Sequence, residues 1–224
     1  PGHHHNEDTS ILRIANSPDR FNLRGVALTA TEYLGKTCLC MTMPEEAVQD
    51  PERETLVDRD FMAWVPLMFT DGTIEAWVAS ELIADAPAYA RGFIGLTFRI
   101  DHEGAFESVY LRPTNSVCDD QIRRNHSVQY VAFPDFRFER LRRESPEKYE
   151  SYADLDLKRW IKMKIVVKAL RVELYLDNKP QPALIVSDMK LGVRQSGGVG
   201  VWLESGTVAY FRDLQITLAE NDPS

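Results

Sequence analysis

The sequence predicts an all-β protein, two curved antiparallel sheets packed face to face with one short helix. Three observations carry that reading. Apolar residues recur at every second position through many short stretches, turn residues separate those stretches, and the helix–strand alternation that a parallel sheet needs is missing. The composition agrees: 44% hydrophobic and 27% charged residues suit a soluble chain with a sizeable core, and 224 residues suit one large sandwich.

Taken in order, "GVALTATEY" and "KTCLCMTMP" form a hairpin that turns at Leu34-Gly35. The stretch from Pro44 to Asp60 is rich in acidic and basic residues and holds two prolines, so it reads as a solvated loop or edge connection. After the Asp71-Gly72 turn, Ile74, Ala76 and Val78 alternate with Glu75, Trp77 and Ala79 as a half-buried strand. "GFIGLTFRID" and "FESVYLRP" are joined as a hairpin by Asp101-His102-Glu103-Gly104, and "SVQYVAFPDF" is a strand stopped by Pro134. The one helix falls in "RRESPEKYESYADL", with Ser145 as cap, Pro146 at the first helical position and Glu147 near the positive end of the dipole. "RWIKMKIVVK" buries Ile161, Met163, Ile165 and Val167; "LRVELYLDN" buries Val172, Leu174 and Leu176 before a turn at Asp177-Asn178. "ALIVSDM", "GGVGVWLES" and "TVAYFRDLQITL" complete a series of roughly eleven to thirteen strands. Residues 1–20 read as a tag remnant ("PGHHH") and an N-terminal arm, 21–218 as a single sandwich domain, and 219–224 as a tail.

A net charge of -8 repels phosphate backbones, which argues against nucleic acid as a partner. The longest apolar run, Phe61 to Phe69, is about half of the roughly 20 residues a membrane-spanning helix needs, so no membrane insertion is expected. Cys38, Cys40 and Cys118 are too few for a disulfide framework and read as free thiols; a zinc site built on Cys118 and His126 lacks a C-x-x-C pair. Neither His102 nor His126 sits in a nucleophile motif, and "SGGVG" lacks the lysine and the helix of a phosphate cradle. No cofactor is expected from the residues. The carboxylate pairs Asp58/Asp60, Asp101/Glu103 and Asp154/Asp156 all fall in apparent loops.

The stretches "RWIKMKIVVKALRVELYLDN", "LIVSDMKLGVRQSGGVGVWLES" and "TVAYFRDLQIT", preceded by "DGTIEAWVAS", "GFIGLTFRI" and "FESVYLRPTNS", resemble the concanavalin A-like lectin/glucanase superfamily. The likeness is to its laminin G-like and 3-keto-disaccharide-hydrolase-like bacterial branches, and it spans 21–218. It implies a jelly roll whose concave sheet holds carbohydrate, and in some members calcium at a loop edge. Secretion or a periplasmic location would suit such a role. The laminarinase-type E-x-D-x-x-E strand, in which alternate carboxylates act as acid and nucleophile, is missing from this sequence.

The polar stretch Ser108–Tyr130 then becomes the candidate site. With Val109 and Leu111 facing the core, Tyr110 and Arg112 are expected to point out of the sheet, Tyr110 to stack on a sugar ring and Arg112 to donate. Asn115, Asp120, Gln121, Arg123, Arg124, Asn125, His126, Gln129 and Tyr130 are expected to line the rim, with Glu107 on the same strand. The expected partner is an oligo- or polysaccharide. A sugar-processing enzyme using Glu107 or Asp120 is the alternative, and a protein-interaction or adhesion module a third. The purely structural reading has these side chains capping strand ends and pairing with one another. Arg123, Arg124, Arg137, Arg140, Arg142 and Arg143 read as a charged face balanced by Asp119, Asp120, Asp135, Glu139 and Glu144, or, more sharply, as a site for an acidic sugar. Trp64, Trp77, Trp160 and Trp202 read as packing or as stacking platforms.

Overall fold

A computed structural model describes residues 10–193 and 195–219; the His run at 3–5 and residues 220–224 lie outside the described residues. Strands β1 (Ser10–Arg13), β2 (Asn22–Arg24), β3 (Ala27–Tyr33), β4 (Lys36–Thr42), β5 (Met62–Phe69), β6 (Gly72–Leu82), β7 (Ile94–Ile100) and β8 (Phe106–Leu111) come first. Short helices α1 (Pro113–Ser116) and α2 (Gln121–Arg124) precede β9 (Val128–Phe133), and α3 (Phe138–Glu144) precedes β10 (Glu150–Ser151). The remainder is β11 (Ile161–Lys168), β12 (Arg171–Leu176), β13 (Leu184–Val186), β14 (Gly197–Leu203) and β15 (Thr207–Leu218).

These strands form two antiparallel sheets. The eight-stranded sheet runs β13-β12-β11-β6-β15-β4-β3, with β1 also paired to β15; the seven-stranded sheet runs β10-β9-β8-β7-β14-β5-β2. The arm ahead of Phe21 therefore supplies β1, which pairs Ser10–Arg13 with Leu218–Gln215. The expected alternation in β11 and β12 is observed, with Ile161, Met163, Ile165, Val167, Val172, Leu174 and Leu176 buried. Each such side chain contributes about 1.5–3 kcal/mol on burial, which is why a period of two fixes which face turns inward. Leu34 and Gly35 both adopt positive φ (46° and 77°), the requirement of a tight hairpin turn whose twist matches its strands. Asp101 Oδ1 accepts from the Glu103 and Ala105 amides at 2.9 Å each and closes the β7–β8 hairpin.

Two expectations about local structure are corrected. Helix α3 ends at Glu144, so Ser145 stands at its C-terminal cap, where its amide bonds the Leu141 carbonyl, instead of opening a helix. The earlier position is held by the i,i+4 ion pairs Arg140–Glu144 (2.8 Å) and Glu139–Arg143 (3.0 Å), which the Pro146 signal obscures. The segment 44–60 is not simply a solvated loop. Its Gln49 and Asp58 are buried, and the Gln49 amide bonds both the amide and the carbonyl of Val57 at 2.8 and 2.7 Å.

That segment matters because it closes over the seven-stranded sheet. Every residue of β7, β8, β9 and β14 is buried, on the outer face as well as the inner. Trp202 Nε1 donates to the Arg59 carbonyl at 2.6 Å, pinning 56–60 across the outer face. Such a covered face shows continuous burial and no alternation.

Candidate functional site

The antiparallel order β9-β8-β7-β14-β5 places the start of β9, the end of β8, the start of β7, the end of β14 and the start of β5 at one end of the sheet. The residues just beyond those ends are His126, Arg112, Arg91 with Phe93, Glu204, and Asp58. They converge on a cavity of about 190 Å³, completed by Gln49, Tyr89, Asn115, Arg123, Phe138 and Arg142 among others.

The lining residues Arg112 and Phe93 rest on a cross-strand row on the outer face. Strand register sets Met62 beside Trp202, Trp202 beside Gly95, Gly95 beside Tyr110, Tyr110 beside Gln129, and Gln129 beside Glu150. Gly95 is required between the two rings: a Cβ there would lie 2.3 Å from Tyr110 Cβ. Its absence lets Tyr110 and Trp202 pack with centroids 4.5 Å apart, and Phe93 meets both edge-on.

Arg112, immediately after β8, ties this row together. Its Nη1 donates to the His126 carbonyl (3.1 Å), Gln129 Oε1 (3.2 Å) and Glu150 Oε1 (3.4 Å); its Nη2 donates to the Tyr110 hydroxyl (2.9 Å) and Gln129 Oε1 (3.2 Å). The Tyr110 hydroxyl in turn donates to Asp58 Oδ2 at 2.8 Å. Arg142 Nε reaches Glu150 Oε2 at 3.1 Å, and His126 Nε2 faces the same oxygen at 3.6 Å. Burial lowers the His126 pKa against the pull of Glu150 and so favours the neutral ring. Burial likewise pushes the Asp58 carboxyl up to about 6, with Arg112 and the Tyr110 hydrogen bond holding it down.

The Asp58 shift has a measurable consequence. Its folded-state value lies above the ordinary 3.8, so the native state holds the proton more tightly, and the stability this contributes is lost as pH rises through about 6. Two pKa units correspond to about 3 kcal/mol. Denaturant melts of wild type and Asp58→Asn across roughly pH 4–7 are therefore expected to show the variant gaining that amount on the wild type toward neutral pH. A pH-independent gap would refute the assignment.

The structure distributes the sequence-predicted residues unevenly. Arg112, Asn115, Arg123 and His126 line the cavity. Tyr110 and Gln129 face outward, as the strand parity requires, but are fully buried beneath 56–60 and α3, which corrects the expectation that Tyr110 offers an open stacking surface. Tyr130 and Glu107 lie on the inner face, where the Tyr130 hydroxyl donates to Glu107 Oε1 at 2.8 Å and Arg99 Nη1 meets Glu107 Oε2 at 3.2 Å. Asp120 caps α2 through the Ile122 and Arg123 amides (3.0 and 3.4 Å), Gln121 pairs with Asn125 on the surface, and Arg124 bonds the Ser116 carbonyl while lying over Tyr152. Glu107 and Asp120 thus do not meet at a common ligand position. Trp202 is buried, Trp64 is half-buried on the outer face, and Trp77 and Trp160 flank the Arg212 guanidinium at 4.8 Å each.

Sequence reasoning missed Arg91, Phe138 and Glu204, and left Asp58 as a loop carboxylate beside Asp60. For Arg91, Asp58 and Glu204 the one signal was position, beside strand ends that meet at the same sheet end, which is visible only once strand order is known; Phe138 arrives on α3. Arg142, read as part of a charged surface, instead reaches a nearly buried carboxylate, while Arg140 and Arg143 fit the charged-face reading.

At the level of sequence, no family model and no curated protein matches the chain. Solved structures match its fold. The carbohydrate-binding module CBM66 from Bacillus subtilis has a TM-score of 0.50 at 14% identity, over 87% of this chain and 96% of that one. A protein of unknown function with a galectin-like fold from Bacillus subtilis scores 0.50 at 14% identity over 93% and 96%. The Emp46p carbohydrate recognition domain scores 0.51 at 12% identity over 94% and 97%. These likenesses show a galectin-like sandwich of two antiparallel sheets, the jelly-roll architecture that the sequence resemblance implies, and they carry the architecture alone.

Proposed function

We propose that this chain is a carbohydrate-binding jelly roll that takes a sugar residue in the strand-end pocket around Arg112. The supporting observation is the pocket's chemistry. Planar donors and acceptors (Arg91, Arg112, Asn115, Arg123) converge with the aromatic edges of Tyr89, Phe93 and Phe138, the mixture of oriented polar groups and apolar walls that a sugar needs. The Arg112 network fixes the floor before any ligand arrives, so little ordering cost falls on binding. The sandwich is also the architecture of two domains whose names record carbohydrate binding or recognition.

The test is a glycan array followed by calorimetry. Saturable binding to a narrow glycan class is expected, weakened about tenfold or more in the folded Asn115→Ala protein. Silence across the array, or an unaffected variant, would remove the pocket as the site. Sugar processing is the second reading, favoured by Asp58, a cavity carboxyl whose pKa near 6 suits proton transfer. Product release from a polysaccharide panel, lost in Asp58→Asn, would establish it in place of simple binding.

A further inference from the structure

The four guanidiniums around the cavity are unequally neutralised. Arg112 and Arg142 share Glu150, at 3.4 Å and, from Arg142 Nε, 3.1 Å. Arg91 Nη1 donates only to backbone carbonyls, of Ala88 (2.9 Å) and Ala90 (3.1 Å), and Arg123 Nε donates to Asn115 Oδ1 (3.1 Å). Among the described residues, neither Arg91 nor Arg123 makes a salt bridge. The two carboxylates that line the cavity are already engaged, Asp58 by Tyr110 and Glu204 by Arg59, whose Nη2 lies 2.6 Å from Glu204 Oε1. Burial, with repulsion from Arg123 and Arg112, loosens the Arg91 proton, a sign of positive charge left uncompensated. This local excess stands in a chain whose net charge is -8, so it is not the by-product of a basic composition.

We propose that the sugar bound in this pocket is acidic, its carboxylate held by Arg91 and Arg123 while the Arg112 floor receives the ring; the assignment rests on the glycan reading above. Guanidinium forks match the planar carboxylate with two parallel hydrogen bonds, and partial burial strengthens them. The cavity of about 190 Å³ is smaller than the roughly 300–1,000 Å³ that encloses drug-sized ligands, and fits one uronic acid residue rather than a chain segment.

Calorimetry with galacturonate and glucuronate against galactose and glucose tests it on the intact chain. The uronates are expected to bind about tenfold or more tightly than their neutral parents, with an advantage that shrinks as salt rises. Arg91→Gln combined with Arg123→Gln should abolish that preference, and Arg171→Gln, which removes one positive charge from the other sheet, should not. Where the double variant melts early, Arg123→Lys keeps the charge without the fork and is expected to lose most of the preference. Equal binding of acidic and neutral sugars would overturn the acid assignment and leave the glycan reading standing. Acetate binding as tightly as the uronates would reduce the pocket to a simple anion site and overturn it too. Failure of every saccharide to bind would remove the glycan reading and the inference together.

Discussion

Replacing Arg112 with alanine is expected to destabilise the protein by about 3–5 kcal/mol, the cost of removing one member of a buried ion network and leaving its partners unmatched. Gln129 Oε1 and the Tyr110 hydroxyl lose their Arg112 donor, Glu150 keeps only Arg142 of its two guanidinium partners, and Asp58 loses the positive charge that opposes its burial. For a chain of this size each kcal/mol moves the thermal midpoint by about 2–4 °C, so a fall of roughly 10 °C is expected. Arg112→Lys separates charge from geometry: an ammonium cannot bridge Gln129, Glu150 and Tyr110 with two nitrogens in one plane, and an intermediate loss is expected. A midpoint within 2 °C or so of wild type for Arg112→Ala would mean that the network orients the pocket without holding the fold.

Glu107→Ala is expected to cost a similar amount, about 3–5 kcal/mol, for a different reason. Glu107 and Arg99 are both wholly buried at the inner face, and Arg99 reaches that position through a positive φ of 53° that breaks the strand alternation after Phe98. Without Glu107, Arg99 keeps the half-buried Asp71 at 3.3 Å and the carbonyls of Thr70, Ala169 and Gly192, but the Tyr130 hydroxyl and the Leu191 amide lose an acceptor. A double-mutant cycle of Glu107→Gln with Tyr130→Phe should return a coupling of about 0.5–3 kcal/mol in denaturant melts. Additive effects would show that the hydrogen bond contributes nothing of its own. Sugar affinity of the folded Glu107→Gln protein should match wild type, because the residue faces away from the pocket.

How far the sequence could be read follows from where each element's neighbours lie. Strands β11 and β12 were legible because one face is core and the other half-exposed, which writes a period of two into "IKMKIVVK" and "RVELYL". Strands β8 and β9 were legible as strands, but not the burial of their outer side chains, since what covers Tyr110 is a segment some fifty residues earlier. Charge-rich composition made 44–60 look solvated, and its residues at 44–46, 51–55 and 60 are exposed, yet between them Gln49, Asp58 and Arg59 anchor the segment as a strap. Arg112, Asn115, Arg123 and His126 were found because polar density marks a loop between strands. Arg91 and Glu204 were not, since each is a lone charge beside an apolar strand, and only strand order brings them together.

The position of β15 has a consequence for synthesis. It lies between β6 and β4 in the middle of the eight-stranded sheet, yet it follows both in sequence by more than a hundred residues. Until β15 has been made, β6 and β4 lack their partner along those edges, where Ile74 and Leu39 later stand beside Ile216 and Phe211. The sheet closes only when residues 207–218 have left the exit tunnel. Closure of this sheet is thus a late step that waits for β15, and the domain does not form strand by strand along the chain.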